Sequence, residues 1–173
     1  RFNRKRIVSE YTPGYTVGGK KAPEKREATA KREKMLLVDG YNVIFGWDYL
    51  AELARDNMDA AKDKLISVLS NYQAIDSHYT LVVFDGYKVK DNRGSEEIKE
   101  DIHIVYTKEG ETADSYIERY THDKVRKYDI TVATGDGLIQ TITRGNGCRI
   151  VSPGDLYHQI EEEIKNLRET YGL

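Results

Sequence analysis

Five acidic residues occur where the chain leaves an apolar run or enters a helix, and their type and spacing favour metal chemistry. They are Asp39, Asp85, Glu111, Asp114 and Asp136. Carboxylates that crowd together repel one another unless a cation compensates their charge, and oxygen-rich sites of this kind suit Mg²⁺ or Mn²⁺. Such a metal polarises a phosphate and lowers the pKa of a bound water. The pattern therefore predicts metal-dependent cleavage of a phosphodiester.

Asn42 follows the first acid by three residues, and its amide could orient a water, Asp39 or a phosphate without adding charge. Each acid also has an ordinary structural explanation, because Asp before Gly is common in turns and an acid in the first turn of a helix complements the helix dipole. Their number around one crevice favours a function. Asp85 is the member that could instead support a metal ligand or a basic side chain.

Three apolar runs must position these acids. Residues 35–38, 81–84 and 130–133 are rich in aliphatic and β-branched side chains, and Asp and Gly follow each within a few residues. A strand that is buried on both faces of a parallel sheet reads as a near-continuous apolar run. Open α/β sheets build their sites at the carboxyl ends of such strands. We therefore expect the acids to share one pocket.

Strands and helices alternate through the rest of the chain. Strands are predicted to end at Asp39 and to span 80–84, 102–106, 130–134 and 148–151. Helices are predicted over about 47–54, 57–74, 136–143 and 153–168, and a further helix is predicted to open at 111–114 with Ala113, Ile117 and Tyr120 on its buried face. The polar stretch 86–99 is predicted to be a surface loop. This alternation implies a three-layer α/β/α sandwich with a mainly parallel central sheet.

The charge is distributed unevenly along the chain. Residues 1–34 carry a net charge of +7 and residues 35–173 a net charge of −9. We therefore divide the chain into a basic arm with several Gly and Pro residues, at 1–34, and a folded domain at 35–173. The arm suits either contact with nucleic-acid phosphates or a solvated linker. Because the sequence opens at Arg1 without an initiator methionine, we expect an upstream domain in a longer polypeptide.

Composition excludes several classes. The single cysteine, Cys148, leaves no internal disulfide and no multi-cysteine metal site, and it fits a reducing cytoplasm. No stretch approaches the roughly 18 apolar residues of a membrane span. Neither Gly40 nor Gly135 opens a Walker or dinucleotide-binding loop. A response-regulator receiver is disfavoured because no lysine follows the fifth predicted strand.

The ordered motifs resemble the YacP-like branch of the NYN-domain nucleases, which are relatives of the PIN-domain ribonucleases. The motifs occupy residues 38–42, 83–85, 107–109, 111–114 and 133–136, and the resemblance covers roughly residues 35–170. It implies a PIN-like fold and metal-dependent endoribonuclease activity. The branch includes a ribosome-associated enzyme that cuts mRNA in the ribosomal A site. The resemblance therefore implies mRNA as substrate and the ribosome as a partner.

The same resemblance implies a role for each acid. Asp39, Asp114 and Asp136 would bind the Mg²⁺ or Mn²⁺, Asp85 and Glu111 would support them, and Asn42 would lie beside them. The chain departs from the stand-alone pattern because the arm precedes the nuclease body and no long basic extension follows it. We expect that the arm or an upstream domain contacts the RNA, and that the chain is the terminal nuclease domain of a larger translation-associated protein.

Residues next to the acids could also hold RNA through base stacking or phosphate contact. These candidates are Tyr41, Tyr87, Lys88, Lys90 and Arg93. The competing hypothesis is a catalytically inactive PIN-like module that binds RNA or the ribosome. Retention of all the mutually repelling acids favours the enzyme.

Overall fold

The computed structural model of the protein describes residues 31–87 and 90–173. The strands are β1 (Glu33–Asp39), β2 (Tyr79–Phe84), β3 (Ser95–Lys99), β4 (Ile102–Tyr106), β5 (Tyr128–Ala133) and β6 (Arg149–Val151). The helices are α1 (Gly40–Gly46), α2 (Asp48–Asp56), α3 (Met58–Asp76), α4 (Ala113–Lys124), α5 (Gly137–Gly145) and α6 (Pro153–Tyr171). The predictions for the arm up to residue 30 and for Lys88 fall outside the described residues.

The strands form one sheet in the order β3-β4-β2-β1-β5-β6. Every neighbouring pair is parallel except β3 and β4. The predicted mainly parallel α/β fold is therefore confirmed. Because β1 pairs with β2 on one side and β5 on the other, the carboxyl ends of these three strands lie at one edge of the sheet.

Helices cover both faces of the sheet because successive residues of the buried strands point in opposite directions. Val38 belongs to the core that also contains Leu65 of α3 and Leu156 of α6. Leu37 belongs to the opposite core, with Ile117 of α4 and Ile139 of α5. Both Leu37 and Val38 are fully buried. The apolar run at the end of β1 thus supplies both cores at once.

β1 passes directly into α1, where the sequence had indicated only a turn. Gly40 begins this helix against the ring of Phe84, and a Cβ added there would lie 2.6 Å from Phe84 Cδ1. Glycine at this position lets the helix start close to β2. It also fixes the direction in which the chain leaves Asp39.

The prediction of a surface loop over 86–99 is wrong in its second half, because β3 lies there and pairs antiparallel with β4. All five residues of β3 are exposed. An edge strand of this composition shows no apolar pattern, and only its pairing with β4 reveals it.

β1 begins at Glu33, so the predicted domain boundary after residue 34 lies inside the first strand.

None of the helices within the described residues is both long enough and apolar enough to cross a lipid bilayer.

Substitution Gly40→Ala should lower the free energy of unfolding by about 1–3 kcal/mol, because the added methyl group must displace the Phe84 ring from a packed core. Gly154→Ala is the matched control, since the space around Gly154 in α6 is open. The control should leave stability unchanged or raise it by up to about 1 kcal/mol. Urea unfolding followed by circular dichroism measures both values. Equal stabilities would contradict the close contact.

Candidate active site at the carboxyl edge of the sheet

Three of the predicted acids come together at this edge. Asp39 ends β1, Asp136 lies at the start of α5 and Asp114 is in the first turn of α4. Asp39 is buried, with 8% of its surface exposed, whereas the other two are half-buried. The charges of Asp114 and Asp136 both act on Asp39, and the charge of Asp136 acts on Asp114. The three carboxylates therefore share one electrostatic site.

Burial raises the pKa of Asp39 to about 6, and the negative charges of Asp114 and Asp136 act in the same direction. Two hydrogen bonds oppose this shift. The Thr134 hydroxyl donates to Asp39 Oδ2 at 3.1 Å, and the backbone N–H of Asn42 also donates to the carboxylate. Burial likewise raises the pKa of Asp114, with smaller contributions from Asp136 and Asp85. A cation at this site would relieve the repulsion.

Thr134 is a site residue that the sequence reasoning missed. It is fully buried, and its Oγ1 donates to Asp39 while accepting the backbone N–H of Asp136 at 3.1 Å. A hydroxyl can donate and accept at the same time. Thr134 therefore fixes the distance between the end of β1 and the start of α5. Its only signal in the sequence is its position two residues before Asp136.

Asp136 and Asn42 are held by backbone hydrogen bonds. Asp136 Oδ1 accepts from the N–H groups of Leu138 at 2.9 Å and Ile139 at 3.3 Å, so this oxygen caps α5. Asn42 Oδ1 accepts the N–H of Gly135 at 2.6 Å. Asn42 thus ties α1 to the turn that carries Asp136. In this structure its carbonyl positions the chain beside the acids.

Asp85 supports the start of α4. Its Oδ1 accepts the N–H of Tyr87 at 2.8 Å, and its Oδ2 accepts the N–H of Ala113 at 3.4 Å. Because Ala113 is the first residue of α4, this second bond joins the end of β2 to the helix that carries Asp114. Asp85 therefore both positions Asp114 and adds negative charge beside it.

Glu111 pairs with a basic side chain outside this group. Its Oε2 pairs with Arg119 Nη1 at 2.9 Å, and its side chain is 13% exposed. The acids that raise the pKa of Asp39 or Asp114 are Asp85, Asp114 and Asp136, and Glu111 is not among them. Its carboxylate instead lines a neighbouring groove.

The predicted RNA-contacting residues differ in accessibility. Tyr87, Lys90 and Arg93 are exposed, whereas Lys88 lies outside the described residues. Tyr41 is half-buried, and its ring packs 5.0 Å from that of Phe84. Tyr87 is therefore accessible to an RNA base, while the Tyr41 ring already has a packing partner.

Lys62 of α3 completes an aromatic cluster that the sequence did not reveal. Its Nζ lies 5.1–5.4 Å from the ring centroids of Tyr41, Phe84 and Tyr106. Such cation–π contacts are worth about 0.5–2 kcal/mol each. A lysine on a partly exposed helix gives no sign of this environment, because its three partners come from other elements.

The donor set fits one way of binding a metal. Among residues 31–87 and 90–173, no three or more His, Cys, Asp or Glu side chains are grouped so that they could hold a metal ion by themselves. Mg²⁺ usually keeps several waters and binds through one or two carboxylates together with substrate phosphates. The hard oxygen donors and mutual repulsion of Asp39, Asp114 and Asp136 fit that mode. They do not form a closed protein cage.

A model of the YacP-like NYN domain matches residues 36–172. The chain belongs to this family. It is 34% identical over 128 residues to the uncharacterized protein YacP of Bacillus subtilis, covering 73% of this chain and 75% of that protein. The predicted family is therefore confirmed, and it indicates a nuclease-related role.

Two crystal structures of Rae1 (YacP) from Bacillus subtilis are also similar. One, of a single-residue variant, has a TM-score of 0.66 and 30% identity, and the match covers 79% of each chain. The other has a TM-score of 0.65 and 31% identity, and the match covers 80% of this chain and 79% of that one. These matches support the α/β architecture of the YacP-like domain described above.

The Asp39 carboxyl group should destabilise the fold as the pH rises. Its pKa is raised from 3.8 to about 6 in the folded protein. The folded state therefore binds more protons than the unfolded state between these values. The stability that the Asp39 carboxyl group contributes is fully present below about pH 4 and is lost as the pH rises through about 6.

In EDTA at about pH 7.5, Asp39→Asn should therefore raise the free energy of unfolding by about 1–3 kcal/mol, and the gain should vanish near pH 4. Urea unfolding at the two pH values measures the difference. Asp123→Asn, in the exposed last turn of α4, is the control. A gain that is equal at both pH values would contradict the burial of an ionisable carboxyl.

Proposed function

We propose that this YacP-like domain is an endoribonuclease that uses Mg²⁺ or Mn²⁺ to hydrolyse phosphodiester bonds of RNA. The observation that carries the proposal is the buried Asp39 carboxylate with two further acids acting on it. Acids in such surroundings cost folding free energy, and acids with perturbed pKa values are concentrated at functional sites. The family's nuclease-related role supports the same conclusion.

In this proposal Asp39, Asp114 and Asp136 hold the metal. When bound, the metal would polarise the scissile phosphate and lower the pKa of a bound water. The protein's own contribution is to keep the three carboxylates oriented. Thr134 orients Asp39, and the hydrogen bond from Ala113 to Asp85 fixes the helix of Asp114.

Asp39→Asn, Asp114→Asn and Asp136→Asn should each lower the rate of RNA cleavage by at least about 100-fold, because each removes charge that holds the metal. The assay uses a labelled single-stranded RNA with Mg²⁺, with Mn²⁺ or with EDTA. EDTA should abolish the wild-type activity. Asp123→Asn, at the opposite end of α4 from Asp114, is the matched control and should cleave like the wild type.

Activity that survives Asp39→Asn and Asp114→Asn would overturn the proposal. So would a metal-independent rate. Wild-type protein that binds RNA with no cleavage under any of these conditions would favour the inactive RNA- or ribosome-binding module. Circular dichroism of every variant separates lost chemistry from lost folding.

We further propose that the substrate is mRNA on or near the ribosome in the cytoplasm. The choice of mRNA and of the ribosome rests on the family resemblance, and the cytoplasmic location rests on the single cysteine. The test compares naked mRNA with the same mRNA on programmed ribosomes. Faster cleavage on ribosomes is the expected result. Equal rates would remove the ribosome from the proposal and leave the nuclease.

Deletion of residues 1–30 should weaken RNA binding, because the deleted segment is basic and phosphate contacts release counterions. The deletion stops before Glu33 so that β1 is kept whole. Fluorescence anisotropy over a range of salt concentrations should give a shallower dependence of log affinity on log salt than that of the full chain. An unchanged slope would assign the segment as a linker.

A further inference from the structure

A concave surface lies beside the acids, and we name it the cationic groove. Its volume is about 380 Å³. This lies at the lower end of the range for ligand pockets, about 300–1,000 Å³. Its lining includes three cations, two acids and a tyrosine ring that contacts one of the cations: Arg93, Lys108, Arg119, Glu96, Glu111 and Tyr116.

The cationic groove begins where the acidic site ends. Glu111 lies three residues before Asp114, and the first residue of α4, Ala113, donates its N–H to Asp85. The two surfaces therefore adjoin where the chain enters α4, because Glu111 immediately precedes the N-cap Thr112 and Asp114 lies in the first turn. A single RNA strand can pass from one surface to the other across this short stretch.

Arg119 is held in place and still accessible. Its guanidinium pairs with Glu111 on one side and lies 5.3 Å from the ring centroid of Tyr116. Its side chain is 57% exposed, whereas that of Glu111 is 13% exposed. A guanidinium has five N–H donors, and the contact with Glu111 joins one nitrogen to one oxygen. Donors therefore remain for a phosphate.

The other wall of the groove is fixed by Asn92. Its Nδ2 donates to the carbonyl of Thr107 at 2.9 Å, and its Oδ1 accepts the N–H of Gly94 at 2.9 Å. The N–H of Glu109 also donates to the Asn92 carbonyl at 2.8 Å. Arg93 lies between Asn92 and Gly94 in sequence. The bonds on either side thus hold its backbone against the loop that carries Lys108.

We propose that the cationic groove binds the sugar–phosphate backbone of the RNA strand next to the scissile bond. Arg119 contacts a phosphate there, and Glu111 is the anion that the phosphate replaces. This rests on the proposed ribonuclease function. It gives Glu111 a role that differs from support of the metal, because the carboxylate occupies the place of a substrate phosphate in the free protein.

Anisotropy with a short fluorescein-labelled single-stranded RNA, in EDTA to prevent cleavage, tests the groove on the full chain. Arg119→Gln should lower the affinity about tenfold, which is typical of a charge-assisted hydrogen bond. It should also reduce the slope of log affinity against log salt by about 1. Lys108→Gln should act in the same direction. Arg144→Gln, exposed in the last turn of α5, is the matched control and should bind like the wild type.

Glu111→Gln should change the RNA affinity in the opposite direction to Arg119→Gln. It removes the competing anion, while Tyr116 still holds Arg119, so the RNA affinity in EDTA should rise. Glu118→Gln, exposed on the same helix, is its control and should show a smaller rise. An affinity that is unchanged or lower in Glu111→Gln would overturn the exchange of Glu111 for a phosphate.

The outcomes separate the two proposals. If Asp39→Asn abolishes cleavage but Arg119→Gln and Arg144→Gln bind RNA equally, the groove assignment fails and the ribonuclease stands. If the wild type never cleaves RNA but Arg119→Gln weakens binding selectively, the ribonuclease fails and the groove stands as an RNA-binding surface.

Discussion

Asp39 is a buried acid at the end of β1, which pairs with β2 on one side and with β5 on the other. Burial opposes ionisation, and two further acids act in the same direction. The hydrogen bonds from Thr134 and Asn42 partly offset this cost. They also connect the ends of β1 and β5 and the start of α1. The arrangement of this edge therefore follows from the need to keep one buried carboxyl group in position.

Much of the fold could be predicted because its central strands are buried on both faces. Leu37 and Val38 are both fully enclosed, so the run that contains them has the continuous apolar pattern typical of a parallel strand. The edge strand β3 has no such pattern, since all five of its residues are exposed. The sequence does not predict α1 because Asp39-Gly40 is typical of a turn, and the close approach of Gly40 to Phe84 depends on the folded structure.

The types of the acidic residues could be predicted, but their partners could not. Asn42 and Gly135 are separated by 93 positions, and no local pattern indicates that the Asn42 carbonyl accepts the N–H of Gly135. Glu111 stands close in sequence to Asp114, yet its carboxylate pairs with Arg119. The direction of a side chain near a helix start depends on which cation lies nearby in the folded protein. Spacing alone therefore does not show which partner each acid binds.

The hydrogen bonds of Asn92 have a consequence for the thermodynamics of binding. A flexible loop that becomes ordered around a ligand loses conformational entropy, and this loss reduces the affinity. Here the Asn92 side-chain amide, together with the backbone N–H of Glu109, holds the loop of Arg93 against the loop of Thr107 before any ligand arrives. The part of the ordering cost that these hydrogen bonds cover is met when the protein folds. Each polar contact that such a preorganised loop makes therefore contributes more of its free energy to binding.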